Sequence, residues 1–331
     1  MHWRREDVIS NGWQLFKNIP LTIEDLKMIK DLKGLMDSAL SCGSVTISVA
    51  AADENETLQA VVEAHKKGLA KSILVGNREW IEVILEKLGI PAGTFEIIHE
   101  KDSIKAATVA AQVVKNGRAD ILMKGGVVTS KFLQAALGLT GGLKDGLFSD
   151  VEVYEDVGPQ ARLVLVSDGG VNISPGIKQK LDIIGNVVKV AHRLGIKSPK
   201  IALLSGSEKV HPDFQSTIDA VALVKMCQDG AVEGCVVDGP FALDNAIDMS
   251  SARLKGIESP VAGCADVLIM PNLEAGNIFC KGLQYYGDKM LIHVGMGAKV
   301  PILIDSRTAK AQEKLHSIAL AKLMCSRQLR E

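Results

Sequence analysis

A serine and an arginine come just after an apolar segment near the end of the chain. Residues 300–304 are apolar and predict a short buried strand, which Ser306 and Arg307 follow. Side chains at the carboxyl ends of strands in open α/β sheets face the ligand crevice. A guanidinium there offers a planar fork of donors that suits phosphate or carboxylate. The sequence therefore predicts that the protein handles an oxyanion near Arg307.

Three further predicted strands also end in small or polar residues. Lys124 follows residues 121–123, Asp238 follows residues 235–237, and a Pro-Asn-Leu-Glu-Ala-Gly-Asn segment follows residues 267–270. Ordinary turn chemistry explains each of them equally well, because Gly, Pro, Asn and Asp dominate turns. Four such ends on one edge of a parallel sheet favour a ligand site.

The segment after Lys124 contains residue types that can hold an anion. Two glycines allow close backbone approach, and Thr129 and Ser130 can cap the next helix or offer hydroxyls to phosphate. The segment lacks the Gly-Lys-Ser order of a Walker A loop, and no predicted strand precedes a Gly-x-Gly-x-x-Gly motif. The pattern therefore gives little support to a dinucleotide site, and simple capping by Thr129 remains the alternative to phosphate binding.

Other polar residues are candidates for the wall of a cleft. Asp238 and Asp244 flank a turn, so either acid can orient a substrate group, or both can serve as a cap and a turn. Glu274 and Asn277 fit a polar helix start or ordinary capping. The seven histidines show no HExxH or paired-ligand spacing, and no G-x-S-x-G motif occurs. Neither a metal site nor the nucleophile elbow of an α/β-hydrolase is therefore predicted.

Composition excludes several classes of protein. The chain has 331 residues, 47% of them hydrophobic and only 4% aromatic, with 31 glycines, which suits α/β layers with many tight turns. Its formal net charge of −1 argues against a nucleic-acid surface. No apolar run has transmembrane length, and the first residues lack a hydrophobic signal region. Six cysteines without CxxC spacing predict reduced, buried thiols in a cytoplasmic protein.

Strand and helix patterns alternate along almost the whole chain. Apolar runs predict nine short buried strands, at residues 45–49, 72–75, 95–98, 121–123, 163–166, 201–204, 235–237, 267–270 and 300–304. Helical spacing occurs between them, as in residues 183–194, and an amphipathic helix is predicted over residues 311–329. The alternation predicts a mostly parallel sheet with helices on its faces. Four glycines in residues 138–146 predict a hinge between two domains.

Several longer segments carry a resemblance to a known family. Residues 237–246 (VDGPFALDNA), 259–263 (SPVAG), 265–277 (ADVLIMPNLEAGN) and 297–301 (GAKVP), together with Ser306-Arg307, resemble the phosphate acetyl/butyryltransferase family. The resemblance runs from about residue 119 to residue 321. The segments at 123–125 and 314–321 are similar to the phosphate butyryltransferase branch rather than to the phosphate acetyltransferase branch.

The resemblance implies a two-domain, three-layer α/β/α fold with mostly parallel sheets, similar to that of the isocitrate and isopropylmalate dehydrogenases. In that arrangement residues 1–140 and 294–331 form the first domain, residues 141–293 form the second, and the active site lies in the cleft between them. It also implies a homodimer or a larger homo-oligomer, with no nucleic-acid or membrane partner.

The implied reaction converts acyl-CoA and phosphate into acyl phosphate and CoA, with a butyryl or branched acyl group and direct attack in a ternary complex. Coenzyme A is then a substrate, and no cofactor or metal is implied. By the family pattern Ser306 lies near the CoA sulfur, Arg307 stabilises phosphate and the developing charge, and Glu313 occupies the position of a proposed base. The implied phosphate site holds Thr129, Ser130 and Arg307. The acetyltransferase branch has a further arginine at the position of Gln134, and Lys124 is expected to supply that positive charge here. The implied cleft residues are Asp238, Asp244, Asn245, Glu274, Asn277 and Lys299.

Four alternatives remain at this point. A phosphate acetyltransferase shares the same motifs, and a non-catalytic sensor of acyl-CoA or acyl phosphate shares the same site. A decarboxylating dehydrogenase linked to NAD or NADP requires clustered aspartates, of which only Asp238, Asp244 and Asp248 are near one another. A cysteine acyl-enzyme is the mechanistic rival, but no cysteine has an adjacent histidine or an elbow motif, so direct transfer is favoured.

Overall fold

A computed structural model describes residues 27–156 and 161–325 as helices and strands that alternate along the chain. The helices are α1 (Leu32–Ser41), α2 (Asn55–Lys66), α3 (Arg78–Lys87), α4 (Ser103–Lys115), α5 (Thr129–Leu137), α6 (Ile177–Arg193), α7 (Gln215–Gln228), α8 (Leu243–Ile247), α9 (Met249–Leu254), α10 (Leu273–Tyr285) and α11 (Ala311–Cys325). The strands are β1 (Thr46–Ala50), β2 (Lys71–Gly76), β3 (Glu96–His99), β4 (Ile121–Lys124), β5 (Lys144–Asp156), β6 (Arg162–Ser167), β7 (Lys200–Leu204), β8 (Val236–Phe241), β9 (Val267–Ile269), β10 (Leu291–Ala298) and β11 (Ile302–Leu303).

All of these strands belong to one 11-stranded sheet in the order β3-β2-β1-β4-β11-β10-β5-β6-β9-β7-β8. Most neighbours are parallel, which confirms the mostly parallel α/β architecture. The pairs β11–β10, β10–β5 and β5–β6 are antiparallel. Three successive reversals make β6, β9, β7 and β8 run opposite to β1–β4 and β11.

Helices cover both faces of the sheet, but they cover them differently. On the first face, α1, α2, α3, α6, α7 and α11 share one continuous apolar core with the sheet. On the second face, α4 and α5 pack in one core and α8, α9 and α10 in another. Strand β5 crosses from one of these two cores to the other, since Phe148 lies in the α4–α5 core and Tyr154 in the α8–α10 core. The middle of β5 therefore lies in the gap between two helical groups.

Several sequence predictions need correction against this architecture. The two central strands, β5 and β10, were not predicted, and β11 is shorter than the predicted strand over residues 300–304. Asp238 lies inside β8, not after it. Because the two halves of the sheet run in opposite directions, the four polar strand ends do not share one edge.

The last described helix, α11, also departs from its prediction. Ten of its residues are buried, from Glu313 to Leu323, so it is enclosed on most sides and is not simply amphipathic. Residues 326–329 of the predicted helix lie outside the described residues. The helix packs against α1, α2 and β10, as expected of a segment that returns to the body of the protein.

The cysteines and the hydropathy pattern complete the fold. All six cysteines are free thiols, but Cys280 alone among them is buried, so the prediction of generally buried thiols was wrong. Within residues 27–156 and 161–325, no helix is both long and apolar enough to cross a bilayer. The glycine-rich segment 138–146 forms the end of α5, a turn and the start of β5. Its function as a hinge between two domains stays a prediction.

Gly297 provides a test of the central strand pair. It lies at an irregularity in the β10–β5 register with a φ of +87°, and a Cβ there would overlap the Leu147 carbonyl oxygen. We expect Gly297→Ala to lower the free energy of unfolding by about 3 kcal/mol or more. Gly185 is the matched control, because it lies within α6 and an added Cβ there would meet open space. Since alanine favours a helix more than glycine does, Gly185→Ala is expected to raise the free energy of unfolding by about 0.5–1 kcal/mol. Urea unfolding of both variants measures the difference, and equal midpoints would contradict this account of β10.

Candidate active site

A polar cavity of about 200 Å³ lies on the second face of the sheet, in the gap between the two helical groups. Strands β5 and β10 contribute its floor, while α5 and α10 contribute its walls. The segment after β11 closes one end. The functional side chains that line it are Thr129, Asp150, Glu152, Asn277, Cys280, His293 and Ser306.

The pairing of β4 with β11 explains how residues far apart in sequence meet here. These two strands are parallel neighbours, with Met123 opposite Leu303, so Lys124 and Asp305 leave the sheet at the same edge. Ser306 follows, half-buried, and its hydroxyl lies 2.9 Å from the Thr308 hydroxyl. The structure thereby brings the Ser306 segment together with Thr129, as the sequence predicted for one ligand crevice.

Lys124 is almost fully buried, at 1% exposure, beside this segment. Its ammonium donates to the Gly125 carbonyl oxygen at 3.4 Å. Burial, and next the positive charge of Lys314, lower the pKa of Lys124 to about 8, and Arg307 acts in the same direction. Asp305 and Glu54 oppose the shift. Lys124, Lys314 and Arg307 therefore form a cationic group that two carboxylates only partly neutralise. Neither Lys124 nor Arg307 lines the cavity itself.

Helix α5 presents its first turn to the cavity. It begins at Thr129 after the N-cap residue Val128, and no side chain of the described residues caps it, so the alternative that Thr129 or Ser130 serves as the N-cap was wrong. Thr129 lines the cavity and Ser130 is exposed beside it. An uncapped helix N-terminus with hydroxyl side chains favours anions.

Gly125 has a packing role rather than an anion-binding role. Its amide donates to the Ala50 carbonyl oxygen at 2.8 Å, and a Cβ would collide with the Ala51 carbonyl oxygen. The glycine thus allows the end of β4 to approach β1. This packing explains the glycine without a bound anion.

Sequence reasoning missed three acidic or basic side chains that form the floor of the cavity, Asp150, Glu152 and His293, and a fourth, Asp168, that lies close to them. Asp150 and Glu152 lie two residues apart on β5 and therefore on the same face, and both are buried. His293 on β10 places Nδ1 3.0 Å from Asp150 Oδ2. Asp168, after β6, accepts hydrogen bonds from the backbone N–H groups of three following residues. We call Asp150, Glu152 and His293 the floor cluster.

Burial and mutual repulsion shift the protonation of these groups. Burial, and then the charge of Asp150, raise the pKa of the Glu152 carboxyl. The same two causes raise the pKa of Asp168. For His293, burial by itself lowers the pKa, but the adjacent Asp150 carboxylate outweighs it and holds the pKa above its ordinary value.

Glu313 lies outside this cavity, in a neighbouring one of about 360 Å³. Its carboxylate accepts hydrogen bonds from the Lys310 N–H and from Gln284 Nε2, each at 2.7 Å. Glu313 thus satisfies a backbone donor at the start of α11, which is ordinary capping chemistry. Gln284 lines both cavities, so the two are adjacent.

The predicted cleft residues divide into two sets. Asn277 lines the cavity and donates to the Gly169 carbonyl oxygen at 3.2 Å. Glu274, in the first turn of α10, is exposed outside it, and Lys299 is exposed at the turn between β10 and β11.

Asp238, Asp244 and Asn245 do not join the cavity. They lie in β8 and α8, and five strands separate β8 from β11 in the sheet. The Asp244 carboxylate pairs with Lys255 Nζ at 2.9 Å, and the Asn245 amide donates to Glu208 at 3.4 Å. Their role at the cleft stays a prediction, but the argument that put Asp238 on the same edge as Ser306 assumed that all strands run in one direction.

One sequence signal was available for the floor cluster. In β5 the valines at 151 and 153 alternate with Asp150 and Glu152, which is the pattern of a strand with one apolar and one acidic face. Nothing in the sequence links this strand to His293, since 143 positions separate Asp150 from His293.

Comparisons with known proteins agree with the resemblance stated above. Residues 78–322 match the family described as Phosphate acetyl/butaryl transferase. A phosphate butyryltransferase of Clostridium acetobutylicum is 40% identical over 298 residues, covering 90% of this chain and 99% of that protein. A phosphate acetyltransferase of Thermotoga maritima is 36% identical over 290 residues, covering 88% and 98% respectively.

The fold gives the same result. The crystal structure of a branched-chain phosphotransacylase from Enterococcus faecalis V583 matches with a TM-score of 0.76 and 28% identity, covering 86% of this chain and all of that one. The family match spans most of the chain, and a relative at 40% identity spans nine-tenths of it. The protein therefore belongs to the phosphate acetyl/butyryltransferase family.

Proposed function

We propose that this protein transfers a short acyl group between coenzyme A and inorganic phosphate, so that acyl-CoA and phosphate give acyl phosphate and CoA. The observation that carries the proposal is the meeting of Ser306 and Thr129 in one polar cavity, within a chain of this family. Coenzyme A acts as a substrate and not as a bound cofactor.

The chemistry requires little more than positioning and charge stabilisation. A phosphate oxygen attacks the thioester carbonyl, negative charge develops on the carbonyl oxygen, and the C–S bond breaks to release CoA as a thiolate. Because a free thiol has a pKa of about 8.5, the thiolate is a reasonable leaving group near neutral pH. What the protein must supply is an anion clamp and a donor to the oxyanion.

Residues around the cavity can meet both requirements. The first turn of α5, with Thr129 and Ser130, holds phosphate through backbone N–H groups and hydroxyls. Ser306 donates its hydroxyl near the reacting thioester, and Arg307, which follows it and is exposed outside the cavity lining, is proposed to reach phosphate and the developing charge. Lys124 is buried, so it contributes through its charge and not through direct contact.

Direct attack is favoured over an acyl-cysteine intermediate by the state of Cys280. This cysteine lines the cavity, so sequence adjacency to a histidine was the wrong criterion for excluding it. Its thiol donates to Glu152 Oε2 at 2.9 Å, and burial, followed by the Glu152 charge, raises the pKa of the thiol. A thiol kept protonated in this way is a poor nucleophile.

The adjacent larger cavity offers a place for coenzyme A. Lys289 and Lys310 line it and can pair with CoA phosphates, and Gln284 joins it to the reacting cavity. Glu313 also lines it, near the expected position of the CoA thiol. Since both Glu313 oxygens already accept hydrogen bonds, we assign it a positioning role at the start of α11 in place of the proposed base.

The acyl group is proposed to be butyryl or branched. The butyryltransferase from C. acetobutylicum and the branched-chain phosphotransacylase support this choice by their names. The acetyltransferase from T. maritima keeps acetyl as the alternative substrate.

Three broader expectations stay proposals. Self-association is supported by an exposed apolar face on and before α7, formed by Phe214, Ile218 and Val221. The division into domains at residues 140/141 and 293/294 places its second boundary inside β10. The cytoplasmic location rests on the sequence alone.

A CoA-release assay tests the function directly. We expect CoA thiol to appear from short acyl-CoA only when phosphate is present, with kcat/KM higher for butyryl- or branched acyl-CoA than for acetyl-CoA. Absence of phosphate-dependent release across acetyl to valeryl substrates would contradict the function, and ligand binding without turnover would support the sensor alternative. A clear preference for acetyl-CoA would identify an acetyltransferase.

Replacement of Arg307 by lysine tests the oxyanion role. Lysine keeps the charge but loses the planar fork, so we expect Arg307→Lys to lower kcat by about 10²–10³ with a smaller change in the KM for phosphate. Arg78→Lys is the control, since the Arg78 side chain is exposed at the start of α3 and pairs with Glu82 at 3.3 Å. A normal kcat with a raised KM would instead make Arg307 a ground-state anchor.

The lowered pKa of Lys124 predicts a pH dependence. At a pKa of about 8 the ammonium is charged below that pH and neutral above it. We expect the KM for phosphate to rise severalfold between about pH 7.5 and pH 9, as one nearby positive charge is lost. Lys124→Met should show the high KM throughout, apart from the titration of phosphate itself. Identical profiles for the two proteins would show that Lys124 does not act on phosphate.

A further inference from the structure

The floor cluster has no part in the acyl-transfer steps above, yet it has the composition of a metal site. One ligand atom each from Asp150, Glu152 and His293 can be chosen so that all three lie within 4.8 Å of one another. We propose that these three residues bind a divalent transition-metal ion such as Zn²⁺ or Mn²⁺. The proposal rests on the positions of these side chains on β5 and β10, and it does not depend on the proposed reaction.

An unpaired buried oxygen is the first argument. Asp150 is 1% exposed, and its Oδ1 has no hydrogen-bond partner among the residues that the structure describes. A buried carboxylate oxygen without a partner is costly, and native proteins rarely leave one unsatisfied. An ion held by this carboxylate would give Oδ1 the partner that the described part of the protein does not supply.

The distances fit coordination after small side-chain rotations. Asp150 Oδ2 and His293 Nδ1 are 3.0 Å apart. Two donors that are each about 2.1 Å from an ion, at right angles to each other, are also about 3 Å apart. The ion would then replace the proton that these two atoms share, and that proton would leave to solvent.

Charge balance is the second argument. Asp150 and Glu152 are buried carboxylates two residues apart on the cavity face of β5, and the His293 imidazole lies within hydrogen-bond distance of Asp150. The described cationic group of Lys124, Lys314 and Arg307 faces Asp305 and Glu54 instead. A divalent ion would neutralise the surplus negative charge, which burial otherwise penalises.

The surrounding backbone holds the carboxylates in place. A Cβ on Gly169 would come within 2.7 Å of Glu152 Oε2, and one on Gly170 within 2.6 Å of Asp150 Oδ2. The loop after β6 thus covers both carboxylates closely because it has glycine there. On the other side, Cys280 donates to Glu152. Ligands that are fixed before the ion arrives bind it at a smaller entropic cost.

The ligand types indicate the class of ion. One imidazole with two carboxylates suits first-row transition metals, whereas Mg²⁺ and Ca²⁺ prefer oxygen ligands only. Three protein ligands leave positions open toward the cavity, next to Ser306 and Thr129. If the proposed function holds, an ion there would attract phosphate into a cavity whose carboxylates otherwise repel it.

The test is direct titration of the full-length protein, after chelator treatment, with Zn²⁺ and Mn²⁺ in separate calorimetric experiments. We expect one ion per chain, and we expect Asp150→Asn and His293→Gln to weaken binding by about 100-fold or more. Glu152→Gln is a third variant, and circular dichroism checks that each variant is folded. If one variant misfolds, the other two still test the site. Mg²⁺ is expected to bind far more weakly than Zn²⁺.

A histidine–aspartate pair elsewhere supplies the matched control. His211 Nδ1 lies 3.8 Å from Asp213, and both side chains are exposed. We expect His211→Gln to bind Zn²⁺ as the unmodified protein does. Failure of the unmodified protein to bind either ion, or equal binding by the floor-cluster variants, would overturn the proposal. Because binding is measured without turnover, an inactive protein would contradict the proposed function alone.

Discussion

The antiparallel pairing of β5 with β10 at the centre of the sheet is the constraint on which the rest of the structure depends. It follows the β11–β10 reversal and precedes the β5–β6 reversal, so the two halves of the sheet run in opposite directions. In a fully parallel sheet a ligand crevice forms along one edge, outside the carboxyl ends of the strands. Here the strand ends of the two halves lie on opposite edges. The polar cavity consequently forms on the face of the sheet, over the two central strands.

This location places the cavity between two groups of opposite charge. Lys124, Lys314 and Arg307 surround the segment after β11, where Ser306 lies. Asp150, Glu152 and Asp168 lie on the β5 and β6 side. In a site of low effective dielectric such charges act strongly on any bound anion. The cationic side favours phosphate, while the acidic side opposes it unless protons or a cation neutralise the carboxylates.

Helix α11 holds the cationic side in position. Lys314 Nζ donates to the Ser306 carbonyl oxygen at 3.3 Å, and the Ser317 hydroxyl donates to Asp305 Oδ1 at 2.7 Å. Glu313, on the same helix, contacts Gln284 of α10. The burial of α11 thus supports the segment after β11. Its polar residues are buried because they support the segment that carries Ser306, which explains why the helix lacks one simple polar face.

The sequence by itself determined those features that depend on local patterns. Short apolar runs predict the parallel strands, and the residues after them make Ser306, Arg307 and Thr129 candidates for binding an anion. Family motifs, which are contiguous segments, led to the same place. Strands β5 and β10 were not predicted because their inward positions include the buried Asp150 and Glu152 and the half-buried His293, and polar residues at such positions conceal an apolar pattern.

Only the tertiary structure decided which residues share the cavity. Strand direction depends on pairing between distant segments, so local patterns did not show that Asp238 and Asp244 lie far from Ser306 in the sheet. For the same reason the sequence did not show that His293 joins Asp150 and Glu152, since 143 positions separate Asp150 from His293. The contact between those two side chains arises from the register of β5 against β10, in which Glu152 is paired with His293 and Asp150 with Gly295.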